Sequence, residues 1–368
     1  AWRDRHSPLV VGVTGSLAKT STKEQVAEVL AERWNVLRNR ANENNEIGLP
    51  LTLLQLAPEH EFAVLEMGMY VPGDIAQLAR LARPHIGVVT AVRGTHLSRA
   101  GSLDAIERGK RELVEALPDD GNAILNADDP RVSRMAEAAP AGVRVIRYGF
   151  AADADVTATE LESLGELGMR FRLRIGHSET AVTTPVLGRH GVQNALAGAA
   201  VGHVAGLDLD TIARGLARSF SIPHRSVLLD LGEWWVLDDT YNAAPDSMIA
   251  ALDLLATLRG RKVAVLGEML ELGQSSRDAH INVGRHAARS VELLICVGPT
   301  AADYAAGAQA GGLPASEIRC ADDRDAALDV LLAELRPGDV VLVKGSRGAA
   351  LDLLVEQLES VAERGARA

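Results

Sequence analysis

Cysteine is nearly absent from this 368-residue chain: only Cys296 and Cys320 occur. Each lies in or beside a strand-like apolar run, so both are expected as core thiols, and disulfide scaffolds and cysteine-rich metal centres are disfavoured. No uncharged stretch reaches the length of a membrane span, and the opening residues, Ala1-Trp2-Arg3-Asp4-Arg5, do not form a signal peptide. Membrane insertion is therefore not expected, and the cytoplasm is the default location. Dense basic clusters are missing too, and a formal net charge of -11 argues against nucleic acid or an anionic membrane as partner. Anionic ligands must be held locally, by a few placed groups. There is no short-period repeat and no initiating methionine, and the chain enters its first strand almost at once. We therefore expect a piece of a longer protein.

What is present has the balance of a globular enzyme. Hydrophobic residues make up 47% and charged ones 24%, which excludes a disordered or fibrous chain. The length exceeds one ordinary core, so two domains are expected. Val/Ile/Leu runs at 9–14, 62–66, 86–92, 123–126 and 143–148 alternate with amphipathic helical segments, the pattern of a parallel sheet covered on both faces. Near Val156 the period changes to two, as in 169–175, predicting a small antiparallel flap with one wet face. Helices are expected over 191–204 and 208–219. Ser221-Ile222-Pro223-His224 then breaks the chain, and a second series follows: strands at 226–229, 234–237, 262–266, 293–297 and 340–343, with helices such as 245–258. The fold class is α/β. A doubly wound, mostly parallel-sheet P-loop ATPase domain over 1–221, with the flap near 156–187, precedes a second Rossmann-like α/β domain over 222–368. Residues 221–223 are the hinge candidate.

Chemistry concentrates first at Gly12-Val13-Thr14-Gly15-Ser16-Leu17-Ala18-Lys19-Thr20-Ser21-Thr22, between the first strand and a helical pattern that begins at Lys23. Strand, tight loop and helix in that order surround a nucleotide's phosphates with backbone N–H groups and a lysine, which points to ATP. Ala18 stands where glycine is usual, and its Cβ crowds the loop. A plain alternative is a Gly/Ser turn capping an ordinary helix. Phosphates call for magnesium, and Glu66 ends its strand at the carboxyl edge of the sheet, where α/β ligands bind. His96 sits at the same edge and reads equally as a backbone-satisfied histidine. Lys110, within Glu107-Arg108-Gly109-Lys110-Arg111-Glu112, reads from its charge pattern as part of a solvated helical face. Asn194, Arg225, Asp239 and Asn242 suit a nucleotide, although Asp239 and Asn242 could equally serve a turn. Lys344 to Gly348 joins a strand to a helix with two cations, a grip for carboxylate or phosphate.

Five separated segments, Asn44-Asn45-Glu46-Ile47-Gly48, Gly101-Ser102-Leu103, Asp239-Thr240-Tyr241-Asn242, Gly267-Glu268-Met269-Leu270-Glu271-Leu272-Gly273 and Lys344-Gly345-Ser346-Arg347-Gly348, spread over nearly the whole chain. In that order they resemble the Mur ligase family, ATP-dependent amide-forming enzymes of peptidoglycan precursor synthesis. The likeness is greatest to the branch that joins D-alanyl-D-alanine to UDP-MurNAc-tripeptide. The resemblance implies that Gly15, Ser16, Ala18, Lys19, Thr20 and Ser21 hold ATP, with Asn194, Arg225, Asp239 and Asn242 on its adenine, ribose and phosphates. It implies two Mg2+ ions on Thr20, Ser21, Glu66, His96 and a carbamylated Lys110. Lys19, Lys110 and His96 would be catalytic, and Asn45, Glu268, Lys344, Ser346 and Arg347 would face the peptide substrates. An acyl phosphate is the implied intermediate, and a monomer the implied state. Ala18, Gly191 and Ala244 depart from the family pattern, and the family's N-terminal domain, which holds the UDP sugar, has no counterpart in this sequence. Two other expectations stay open: a related ligase of folylpolyglutamate-synthase or cyanophycin type, and a nucleotide-binding protein without catalysis.

Overall fold

The computed structural model describes residues 2–40, 43–94 and 101–365. The chain divides into two compact units that meet between Phe220 and Ser221.

The first unit is built on β1 (Leu9–Thr14), β2 (Val36–Arg38), β3 (Phe62–Glu66), β4 (Ile86–Val89), β5 (Asn122–Asn126), β6 (Arg144–Tyr148), β7 (Val156–Ser163), β8 (Met169–Ile175) and β9 (Ser178–Thr184). Their order in one sheet is β2-β3-β1-β4-β5-β6-β7-β8-β9. Pairing is parallel from β2 to β6, which is why β1 and β3 are apolar and buried along almost every position. The period-two segment forms antiparallel strands with one covered and one wetter face, as expected. β7 pairs with β6 at Tyr148 and Val156, so β7 to β9 continue the same sheet. The physical reason is burial: Met169, Phe171, Leu173 and Ile175 join the core that also holds Val11, Val13 and the helix Gly188–Val204. Each such side chain contributes roughly 1.5–3 kcal/mol when fully covered.

The second unit contains β10 (Val227–Asp230), β11 (Trp235–Asp238), β12 (Lys262–Leu266), β13 (Leu293–Val297), β14 (Ile318–Ala321) and β15 (Val340–Lys344), in the order β10-β11-β15-β12-β13-β14. Only β10 is antiparallel to its neighbour. Cys296 is buried on β13, whereas Cys320 is exposed on the edge strand β14, so the expectation of two core thiols holds for one of them.

Both strand orders matter for function. In the first sheet β3, β1 and β4 are neighbours, so Glu66, the loop after Thr14 and residues 90–93 share one carboxyl edge. In the second, β11, β15 and β12 bring 239–242, 344–348 and 267–273 together. Among the described residues no helix is long and apolar enough to cross a membrane.

Candidate active site

The loop after β1 is held by backbone and hydroxyl groups. Gly15 has φ 150°, and a Cβ there would lie 1.8 Å from Thr90 Oγ1, so the position admits only glycine. Thr90 donates its hydroxyl to Leu17 O at 2.6 Å. Ser16 N donates to Ala91 O at 2.7 Å, and Ser16 Oγ both accepts from Arg93 N at 2.9 Å and donates to Arg93 O at 3.0 Å. Asp129 in turn accepts from Val92 N at 2.8 Å and pairs with Arg93. Ser16 is thus committed to fastening the loop to the end of β4.

The following helix starts at Lys19, four residues before the expected pattern, with Thr22 N donating to Ala18 O at 2.9 Å. Ala18 is its N-cap in a left-handed conformation, φ 62° and ψ 6°, without a side-chain cap. The cost lies in the backbone, about 1–2 kcal/mol for a residue with a Cβ, rather than in crowding. Lys19 folds back so that its ammonium donates to Gly15 O at 2.9 Å. Ser21 is half-buried beside Thr20 on the first turn.

Glu66 is the centre of the site. Only 2% exposed, its Oε2 accepts the Thr20 hydroxyl at 2.8 Å and its Oε1 accepts Asn44 Nδ2 at 2.8 Å. Asn39 holds its backbone, with Oδ1 accepting from Glu66 N at 2.8 Å and Nδ2 donating to Glu66 O at 3.3 Å. Buried Lys23 donates to Asn39 O at 2.5 Å. Asn39, Asn44 and Lys23 were not among the expected site residues. Asn39 follows β2, whose three residues are too few to show a period, and Asn44 directly precedes Asn45 in the motif 44–48. Asn45, expected to face the peptide substrates, accepts from Ile47 N and Gly48 N through Oδ1 at 3.1 and 2.9 Å, opening the helix Gly48–Leu53.

Among the described residues no three His, Cys, Asp or Glu side chains gather into a metal cage. Magnesium does not require one, because it keeps several waters and uses one or two carboxylates with substrate phosphates. The hard oxygens of Glu66 and Thr20 fit that pattern. His96 lies outside the described residues.

Lys110 does not sit on a solvated face. It lies on the helix Leu103–Glu115, on the same buried stripe as Ile106, Leu113 and Val114, and is 4% exposed. Burial pulls its ammonium well below the ordinary 10.5, Lys19 adds to the lowering, and Glu66 opposes it. The helix begins at Ser102, whose Oγ accepts from Ala105 N at 3.1 Å. Asn194, on Gly188–Val204, accepts the Thr22 hydroxyl at 3.3 Å, so it packs on the helix that follows the loop. Gly191 has a packing reason, since a Cβ there would lie 3.0 Å from Val186 Cβ.

In the second unit the motif residues meet one another. Lys344, 2% exposed, donates to Asp239 Oδ2 at 2.6 Å and to Asn242 O at 2.9 Å. Lys344, expected at an outside anion, and Asp239, expected at the nucleotide, neutralise each other here, because a buried ammonium needs a partner. Ser346 N donates to Glu268 O at 2.9 Å, and Ser346 Oγ accepts from Leu270 N at 2.9 Å. Buried His280 accepts from Met269 N at 3.0 Å through Nε2, while its Nδ1 lies 2.6 Å from Ser276 O, which assigns the proton to Nδ1. Tyr304 donates to Gly267 O at 2.9 Å. The 267–270 segment is therefore anchored at every residue, with the Glu268 side chain half-buried. Asn242 turns its Oδ1 to Ala243 N at 2.9 Å. The guanidinium of Arg225 stacks 3.8 Å from the centre of the Tyr241 ring, with Arg347 at 5.8 Å. Arg225 Nε is buried and unpartnered among the described residues.

Residues 13–202 match the Mur ligase middle domain, and residues 224–347 the Mur ligase, glutamate ligase domain. The UDP-N-acetylmuramoyl-tripeptide--D-alanyl-D-alanine ligase of Escherichia coli is 36% identical over 363 residues, covering 98% of this chain and 79% of that protein. The protein of the same name from Mycobacterium tuberculosis is 40% identical over 372 residues, covering 95% and 72%. MurF from Acinetobacter baumannii superposes with a TM-score of 0.89 at 31% identity, covering 98% of this chain and 78% of that one. MurF ligase from Thermotoga maritima, in complex with ADP, gives 0.86 at 27% identity, covering 100% and 82%. Two family domains matched in order, each with its motif residues gathered at one carboxyl sheet edge, establish that the chain belongs to the Mur ligase family and is a ligase.

Proposed function

We infer that this chain adds D-alanyl-D-alanine to UDP-MurNAc-tripeptide in peptidoglycan precursor synthesis, converting ATP to ADP and phosphate. The observation that carries the reading is the Thr20-Glu66-Asn44 cluster beside the Lys19 loop, in a chain 36% identical to a ligase of that name. Neither the folylpolyglutamate-synthase-like alternative nor the inactive one is favoured.

Two anions must meet before an amide can form. The tripeptide carboxylate attacks the γ-phosphorus of ATP, the bond to ADP breaks, and an acyl phosphate results. Lys19, half-buried and already turned over its own loop, supplies positive charge to the phosphates. Glu66 and Thr20, with Ser21 and His96, would hold magnesium, which when bound supplies further positive charge against those phosphates. The neutral amine of the dipeptide then adds to the activated carbonyl, and phosphate leaves.

Lys110 is assigned a carbamate. Its burial favours the uncharged amine, the form that attacks carbon dioxide, and the resulting anion would face Lys19 and a cation instead of leaving two ammonium groups in repulsion. In the first unit Asn194 contributes a polar edge for the nucleotide. In the second, Arg225 is the phosphate contact, while Arg347 and the Glu268 loop face the peptide substrate, and Asp239, Asn242, Lys344 and Ser346 shape that turn. The test is ADP release with each substrate alone and with both together. The reading requires release that depends on both; a rate no faster than with ATP alone would end it.

A further inference from the structure

The ligation uses neither cysteine, yet the fold pairs the only two in the chain. β13 and β14 run parallel, and Cys296 lies directly opposite Cys320 in their register. Residues opposite one another on neighbouring strands point to the same face, with strands about 4.8 Å apart. That spacing falls inside the roughly 4.4–6.8 Å between Cα atoms that a disulfide spans. Cys296 is fully buried, whereas Cys320 is exposed on the edge strand. The interaction between the thiols also separates their chemistry. It pushes Cys296 up, with burial adding to the effect, and it holds Cys320 down at about 6 against the opposing effect of burial. Cys320 therefore carries a larger share of thiolate, the nucleophilic form, than an ordinary thiol at the same pH.

We propose that Cys320 and Cys296 form a reversible dithiol modification site for hydroperoxides, in which exposed Cys320 is oxidised and buried Cys296 resolves it to an intrachain disulfide. The Cys320 thiolate attacks one oxygen of hydrogen peroxide, the O–O bond breaks, and the departing hydroxide takes a proton to become water. Sulfur is oxidised to sulfenic acid and the peroxide is reduced. Cys296 sulfur then attacks Cys320 sulfur, the S–O bond breaks, and hydroxide leaves with the Cys296 proton as a second water. Two thiols and one peroxide thus give one disulfide and two waters, and an external thiol reverses it by exchange.

The experiment treats the native full chain with one equivalent of hydrogen peroxide at neutral pH, alkylates the remaining thiols and maps the peptides by mass. The expected product is a Cys296–Cys320 link within one molecule, removed by dithiothreitol. In Cys296→Ser, dimedone should trap a sulfenic acid at Cys320; in Cys320→Ser, peroxide consumption should fall to background. An unmodified wild-type chain, a link between two molecules, or sulfinic acid at Cys320 in place of the disulfide overturns the proposal. The wild-type result stands alone if either variant misfolds, and the mass readout is independent of ligation activity.

Discussion

Ala18 carries a backbone cost at the turn proposed to hold the ATP phosphates. The sequence marks it as a missing glycine, and the left-handed φ of 62° supplies the reason glycine would be preferred. Ala18→Gly removes roughly 1–2 kcal/mol of conformational cost and adds about 0.4–1 kcal/mol of unfolded-state entropy. A net gain of about 0.5–1 kcal/mol is expected from urea unfolding midpoints, and a loss would contradict it. Lys110 shows which signal to read when two compete. Its charged neighbours suggest water, but it lies four residues after Ile106 and three before Leu113, on the buried stripe of the helix. Because its folded value is lowered, the unfolded chain binds more protons between that value and 10.5, so stability rises with pH across this window. In Lys110→Met that slope should disappear, the ligand-free protein should be more stable at neutral pH, and ligation should be lost. Urea unfolding across that range checks this, and equal slopes in both proteins would refute it.

Among the elements, long apolar strands and long helices were legible because their periods are local. The short strand β2 was not, nor was β14, which lies at a sheet edge with its first two residues only partly covered and its third exposed. The helix Pro245–Thr257 shows a departure whose effect can be measured. Its N-cap, Ala244, has extended backbone; Ser247 Oγ accepts from Ala244 N at 3.0 Å and donates to Ala244 O at 2.9 Å, and Met248 N also donates to Ala244 O at 2.9 Å. Ala244→Asn adds a side-chain acceptor for the free N–H groups of the first turn and should stabilise by about 0.5–2 kcal/mol, read from thermal unfolding. No gain would mean the amide is turned elsewhere. Ser346→Ala leaves Leu270 N without its acceptor, costing about 1–3 kcal/mol. It should raise KM for D-alanyl-D-alanine more than KM for ATP, since it loosens the 267–270 segment; equal changes would argue against that assignment.

At the scale of the molecule, what could not be read was who meets whom. Strand order places β1 between β3 and β4, and β15 between β11 and β12, so the partners of Glu66 and Lys344 come from distant parts of the chain. Spacing along the sequence identifies Glu66 as a carboxyl-edge residue, yet it cannot report that Asn39 and Asn44 orient it or that Asp239 neutralises Lys344. The fold class and the first motif were legible; the pairings were not, because they depend on register across the sheets. The account as a whole requires that Glu66 and Thr20 serve a divalent cation that accompanies a triphosphate. Calorimetric titration of ATP into the full chain, with magnesium and then with chelator at matched ionic strength, tests this most directly. The account predicts saturable binding with magnesium that weakens at least tenfold, about 1.4 kcal/mol, without it; no binding, or equal affinity in both conditions, would contradict it.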